Sequence, residues 1–437
     1  MIVRMRSVSP SRIMLLAALL AFGARGSSDA RAETYLVNPQ GTGDFPNLET
    51  ALEQVVDGDV IELADGTYSR GEGFDFLGKA ITVRSQNGNP ENCKILYDSN
   101  GLSWSGFTFQ SGEGSSSILQ GLLLTAEFSG IPDPRARGCF GGAGVSLQNG
   151  STPTLSNLLL EENPVGVIAC DSSPHLQDCS FNHNNIGLLI GGSSVPFAVA
   201  SCTFDLNMTG INCQDAWGTI TGCVVTRSGG YSSGVPVGWG ILFQLGSTAE
   251  MDSCRIQGNN RGMMIVDSQP TLTNCLITGN GDAGPAVDVN NNSSVTIRRS
   301  TIASNSSYDN DAGGLKVLYS STVQVEQSII WGNCANTPTY ADIFADPGST
   351  VTMTCCLADS NATDGDVQWL GTNIFGDPYF TEFGNCEYPS TGGNYCPAES
   401  SPAWSVPGCG NLGAVIENCT TVSVTPTSWG QIKALYR

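Results

Sequence analysis

Between Pro153 and Asn361, apolar and polar positions follow one eleven-residue motif nine times, most clearly in Pro153–Asn163, Pro174–Asn184 and Pro270–Asn280. The other copies start at Phe197, Gly218, Ala249, Val295, Val323 and Val351, so successive starts lie 21 to 31 residues apart. Position three is always aliphatic or Met, from Leu155 and Leu176 to Val325 and Met353. Position six is Leu158, Ser300, Ser328 or, in the other six copies, Cys; position eight is mostly apolar again. The step of two from six to eight is the strand period, with one face turned inward. Position eleven is Asn in eight of the nine copies, Ser228 being the exception. Asn accepts left-handed backbone and bonds locally, so a tight corner is expected there, with Asn side chains bonded from copy to copy. A second short strand follows, as in Gly187-Leu-Leu-Ile190 and Gly262-Met-Met-Ile-Val266. Strands this short cannot bury themselves alone, whereas parallel coils can stack them. The pattern therefore predicts an all-β solenoid, a right-handed coil of about ten to twelve turns.

The ends depart from the motif. Leu48, Ala51, Leu52 and Val55 share one helical face, which predicts a helix over residues 46–56 covering the first open coil. Arg4, Arg6 and Arg12 precede an apolar run, Ile13 to Phe22, that is too short to span a bilayer, with small-residue sites after it. Residues 1–32 therefore read as a signal peptide, residues 33–60 as the cap and first strand, and residues 61–375 as the β-helix. Residues 376–424 read as an irregular Cys-rich cap and residues 425–437 as a sorting or anchoring tail, in which Thr427 or Ser428 caps a short helix. No segment after the leader is long and apolar enough to span a membrane.

Charge narrows the partners. With 40 acidic against 19 basic residues and a net charge of −21, the surface repels nucleic acid and anionic membranes, and suits cations, neutral glycans or basic partners. Sixteen cysteines in an exported chain would ordinarily mean eight disulfides. Side chains pointing the same way in one column make poor disulfide geometry, so the position-six cysteines are expected as free, buried thiols. In the tail, Cys386 with Cys396 and Cys409 with Cys419 are expected pairs, with cross-pairing among the four left open.

The run Gly43 to Leu52, followed by Gly58-Asp-Val-Ile-Glu-Leu63, Asp65-Gly-Thr-Tyr68 and Lys79 to Arg84, resembles the start of right-handed parallel β-helix proteins of the pectin-lyase-like superfamily. Ser328 to Asn333, Ile374 to Phe380 and Ser401-Pro402 are similar to exported bacterial β-helix proteins of the choice-of-anchor type. The resemblance covers residues 34–419 and implies the fold and a C-terminal attachment signal. It implies no single activity, because the superfamily holds lyases, hydrolases, epimerases and adhesins. The polygalacturonase motifs Asn-Thr-Asp, Asp-Asp, Gly-His-Gly and Arg-Ile-Lys do not occur in order, and the two histidines, His175 and His183, fall in one copy of the motif.

The insertions carry the remaining chemistry. Residues 125–144, 227–240, 303–314 and 332–341 interrupt the coil beside the Asn corner, so they are expected to emerge along one edge as the wall of a groove. They hold Phe128, Phe140, Tyr231, Trp239, Tyr308 and Tyr340, with Trp331 adjacent. Such rings suit the CH faces of sugars, or else pin the long loops to the coil. Asp282, Asp309 and Asp311 are Ca²⁺ candidates, with Arg261 or Lys316 as the base for β-elimination of a uronate glycan. The alternative is a solvent-facing salt ladder, and Asp364-Gly-Asp366 has the same two readings. Three classes follow: an extracellular or envelope protein binding extended glycans or surface partners without catalysis, a Ca²⁺-dependent polysaccharide lyase or hydrolase, or an adhesive spacer.

Overall fold

The structure is a computed structural model that describes residues 31–98, 105–127, 142–232, 235–281, 284–307, 312–336, 341–384, 386 and 389–414. Nearly all of the leader and the whole of the tail at 425–437 lie outside the described residues. Three long parallel sheets of 14, 13 and 12 strands run along one axis. Each coil visits them in the order A, B, C: motif positions two to four form sheet A, positions seven to nine form sheet B, and the run after the Asn corner forms sheet C. The expected right-handed parallel β-helix is therefore present.

Register follows the motif copy by copy. Leu155 lies opposite Leu176, and Val199, Ile220, Met251, Leu272, Ile297, Val325 and Met353 continue the same column. All nine are buried. Position eight builds the facing column in sheet B, where the rings of Phe181 and Phe204 stack at 4.5 Å. A one-residue slip would turn either column to solvent, so the alternation itself holds the register.

The three corners are built differently. Between sheets A and B, position five is left-handed in every copy, for example Asn157 (φ 49°), Asp178 (φ 54°) and Gly222 (φ 61°). This turns position six inward. Cys179, Cys202, Cys223, Cys254, Cys275 and Cys356 are accordingly free and buried, as expected. The Cys179 thiol donates to the carbonyls of Leu155 and Gln177, and burial pushes the Cys356 thiol up to about 12. Ser300 and Ser328 continue the stack by accepting from backbone N–H groups, those of Cys275 and Ser300. Between sheets C and A, serines do the same: Ser268 N donates to Ser293 Oγ, Ser293 N to Ser321 Oγ and Ser321 N to Ser349 Oγ.

The corner between sheets B and C holds the Asn ladder. Asn163 N and Nδ2 both donate to Asn184 Oδ1 at 3.0 Å, and Asn184 repeats this with Asn207. After Ser228, whose N–H meets Asn259 Oδ1, the chain of bonds runs through Asn280 and Asn305 to Asn333. Each Nδ2 also reaches a carbonyl one coil back, as Asn280 does at Ile256. Two expectations change here. The left-handed residue is position ten, such as Glu162 (φ 57°) or His183 (φ 53°), so Asn is spared the strained backbone and spends its side chain on the ladder. Asn361, at position eleven of the last copy, is not in the ladder but bonds Asp359 locally. In its place Asp342, returning from the last insertion, accepts from Asn333 N and Nδ2 at 2.8 and 2.7 Å.

Helix α1 (Leu48–Gln54) is shorter than the expected 46–56. Asn47 caps its start by accepting from Thr50 N, and Asp59 Oδ2 draws the Val56 N–H out of the helix. Leu48, Ala51, Leu52 and Val55 are buried as the periodicity requires. The Lys79 ammonium closes the other end on the carbonyls of Leu52 and Glu53.

The C-terminal segment departs most from expectation. Cys386 bonds Cys334 and Cys409 bonds Cys355, so neither expected pair within the tail forms. Cys396 is also disulfide-bonded. Residues 379–384 and 389–414 run along the outer face of sheet B, where Ser390 N donates to Gly279 O, Gly413 N to Gln327 O and Ala414 N to Thr301 Oγ1. Ile329 and Leu357 pack there against Ala403, Val406 and Leu412, while Leu276 and Ala303 pack against Tyr395.

Burial raises the Asp342 carboxyl to about 6, against an unfolded value of about 3.9. Between those values the folded state holds the extra proton, so this group's contribution to stability falls as pH rises through about 4 to 6. Asp342→Asn keeps an oxygen for Asn333 and removes the titratable group, so it should abolish this part of the pH slope in urea titrations. Asn280→Ala should cost about 3 kcal/mol in the same assay, because it leaves buried partners on both sides unpaired. In the unfolded ensemble the position-six thiols should react with a maleimide. In the native protein they should not, and modification there would contradict the packed column.

Candidate functional site

The four insertions all leave sheet B and re-enter sheet C, so they share one corner, beside the Asn ladder. The coil leaves them little choice. From Gly144 to Gly240 a glycine recurs where each coil enters sheet C, and an added Cβ there would lie 2.5–2.8 Å from the next coil's carbonyl oxygen. Extra residues must therefore bulge before that point.

At this corner Trp239 lies beneath the Arg261 guanidinium, with Cζ 4.7 Å from the ring centroid. The backbone holds the two side by side, because Gly240 N donates to Arg261 O at 2.9 Å. The pair gains cation–π attraction at a half-exposed position. Tyr231 belongs to a small antiparallel hairpin, Gly230–Ser232 with Val235–Val237, in the same insertion. Phe128, Phe140, Tyr308, Tyr340, Asp282, Asp309 and Asp311 lie outside the described residues.

Trp331 sits elsewhere. It ends a sheet B strand and packs against the cluster of Ile329, Ala403 and Leu412, under the returning C-terminal segment. Its role there is to hold that segment. Asp364 Oδ1 accepts from Gly365 N, and Asp366 accepts from Thr350 Oγ1 on the neighbouring coil and from Gln368 Nε2, so both carboxylates have protein hydrogen-bond donors. His175 and His183 are exposed on sheet A and at the B-to-C corner. Among the described residues no group of three or more His, Cys, Asp or Glu side chains converges as a metal site. Nor is any helix among them long and apolar enough to cross a membrane.

Lys316 belongs to a feature that residue-by-residue motif reading passed over. The outward positions of sheet C form a register column running Ser146, Ile168, Leu189, Asn212, Leu242, Met264, Asp288, Lys316, Phe344 and Asp364. Ile168 and Leu189 are buried in a cluster on the outside of the sheet. From Leu242 to Phe344 the column is half-buried, and it lies next to the Trp239–Arg261 corner. Five adjacent strands span about 19 Å at the usual strand spacing. The Asp288 carboxylate is oriented along its strand by Asn290 Nδ2 at 2.7 Å, and Lys316 is its register neighbour. The signal was in the second strands, whose outward residues are uncharged up to Met264 and include Asp288, Lys316 and Asp364 after it.

Residues 167–330 and 239–367 match the profile of the family described as right handed beta helix region. No curated protein matches the chain. Among solved structures it is similar to pectate lyase Pel9A, at 14% identity and a TM-score of 0.40 over 88% of this chain and 92% of that one. It is also similar to tailspike protein 3 of bacteriophage CBA120, at 13% identity and a TM-score of 0.41, over 75% and 57%. A rhamnogalacturonan lyase aligns at 12% identity and a TM-score of 0.36, over 80% and 90%.

Proposed function

We propose that this is an exported protein, extracellular or held at the cell envelope, that binds an extended glycan along the outer face of sheet C without transforming it. The observation that carries this reading is the shared corner of the four insertions. That corner borders a long, half-buried strip of sheet, and Trp239, held by Arg261, lies on it. A polymer can follow such a strip coil by coil, and a fixed indole suits the apolar face of a sugar.

The cysteines support export. The eight free ones among the described residues are all buried, and six others are disulfide-bonded, three of them along the C-terminal segment. Disulfides of this kind persist in oxidising compartments. Arg261 is a poor base, because guanidinium stays protonated and here lies over an indole. That observation argues against Arg261 as the base of an elimination and leaves that role to Lys316.

A panel of immobilised glycans, probed with the full chain with and without Ca²⁺, tests the reading. Trp239→Ala should weaken binding about tenfold, from the loss of about 1.4 kcal/mol of contact, with an unchanged melting temperature. Calcium-dependent release of unsaturated sugars would instead establish a lyase. Lost stability with intact binding would make Trp239 a loop pin.

A further inference from the structure

We infer that the sheet C strip selects an uncharged glycan bearing acetamido groups, a conclusion that rests on the glycan-binding reading above and adds its substrate class. The argument starts from the order of side chains on the strip. Leu242 and Met264 are consecutive outward residues, with Val266 on the same strand as Met264, and together they make a half-buried apolar patch. The next strand presents Asp288, held in place by Asn290, and the one after it Lys316.

An apolar patch one strand from an oriented acceptor matches two parts of an acetamido group. Its methyl can cover Leu242 and Met264 while its N–H donates to the Asp288 carboxylate. A bare hydroxyl set leaves the methyl-sized apolar surface uncovered, and a free amine, although attracted to Asp288, leaves it uncovered too.

Net charge decides against uronates. On the strip Asp288 and Lys316 offset each other, and the protein as a whole carries −21. A polyanion would approach a repelling surface and find one ammonium already beside a carboxylate. A neutral chain meets neither penalty. Spacing agrees, since a coil rises about 4.8 Å, comparable to the length of one pyranose, so successive sugars can meet successive coils.

Binding of the full chain to a chitin hexamer, a cellulose hexamer, a chitosan hexamer and a hexagalacturonate, measured by calorimetry, tests the inference. At high ionic strength, which screens the attraction between the acidic protein and cationic chitosan, the chitin hexamer should bind at least tenfold tighter than the other three. Met264→Gln and Asp288→Asn should each erase most of that preference, whereas Thr219→Ala, on the exposed face of sheet A, should not. Equal affinity for the chitin and cellulose hexamers would overturn the acetamido assignment, and tighter binding of the chitosan hexamer would do the same. Preference for hexagalacturonate would overturn the charge argument. If no glycan binds this probe set or the wider panel, the glycan-binding reading itself falls. If the wider panel yields a ligand but the chitin hexamer fails, only the present inference falls.

Discussion

A coil with three corners must bury backbone N–H groups where the strands stop, and the whole molecule is organised around satisfying them. At the B-to-C corner one residue solves the problem. Within each run the Asn oxygen accepts from the preceding coil's main-chain N–H and side-chain amide, and its Nδ2 also reaches a carbonyl of that coil, with Ser228 interrupting the amide-to-amide bonds. The other corners use weaker versions of the same device. Thiols donate to carbonyls between A and B, and hydroxyls accept from N–H groups between A and B and between C and A. The hydrophobic columns supply most of the burial free energy, but they tolerate many side chains. The polar stacks tolerate few, which is why Asn, Ser and Cys recur at fixed positions while the aliphatic sites drift among Leu, Val, Ile and Met.

Much of this was legible because a strict period makes each residue's environment recur. Position three, position six, position eight and the Asn ladder could all be assigned to the interior from spacing alone. The left-handed residues were misplaced because Asn is chemically suited both to strained backbone and to side-chain bonding, and only geometry shows which use is made of it. Glu162, His183 and Arg227 carry the strain instead, residue types that offer no warning. The disulfides were misassigned for a related reason: proximity in sequence suggested pairs within the tail, while the fold brought the tail back beside Cys334 and Cys355.

A signal for that return was nonetheless present. In the early coils the outward positions of sheet B are largely polar, as at Ser180, Asn182 and Asp205; from Leu276 onward they include Ala303, Ile329 and Leu357. At nearly the same point position ten changes from larger residues to Gly258 and Gly279, where an added Cβ would strike Thr391 and Ser390. The switch in both positions marks the stretch of coil that is covered. The mixed outward column of sheet C was harder to see, since its residues obey no repeat. A surface that must recognise something cannot share the periodicity of the scaffold that presents it.

The ladder also has a direction. Every amide-to-amide bond points the same way, Tyr97 opens the series by donating to Asn163 Oδ1, and Asp342 closes it as an acceptor. Inside such a series a whole coil can be duplicated or deleted and each neighbour still finds a partner. Its terminal members have no such freedom, because each completes a chain of donors or acceptors that would otherwise end unmet. Variation in length across descendants of this chain should therefore accumulate by gain and loss of interior coils, with the tyrosine and the aspartate carried outward as fixed bookends.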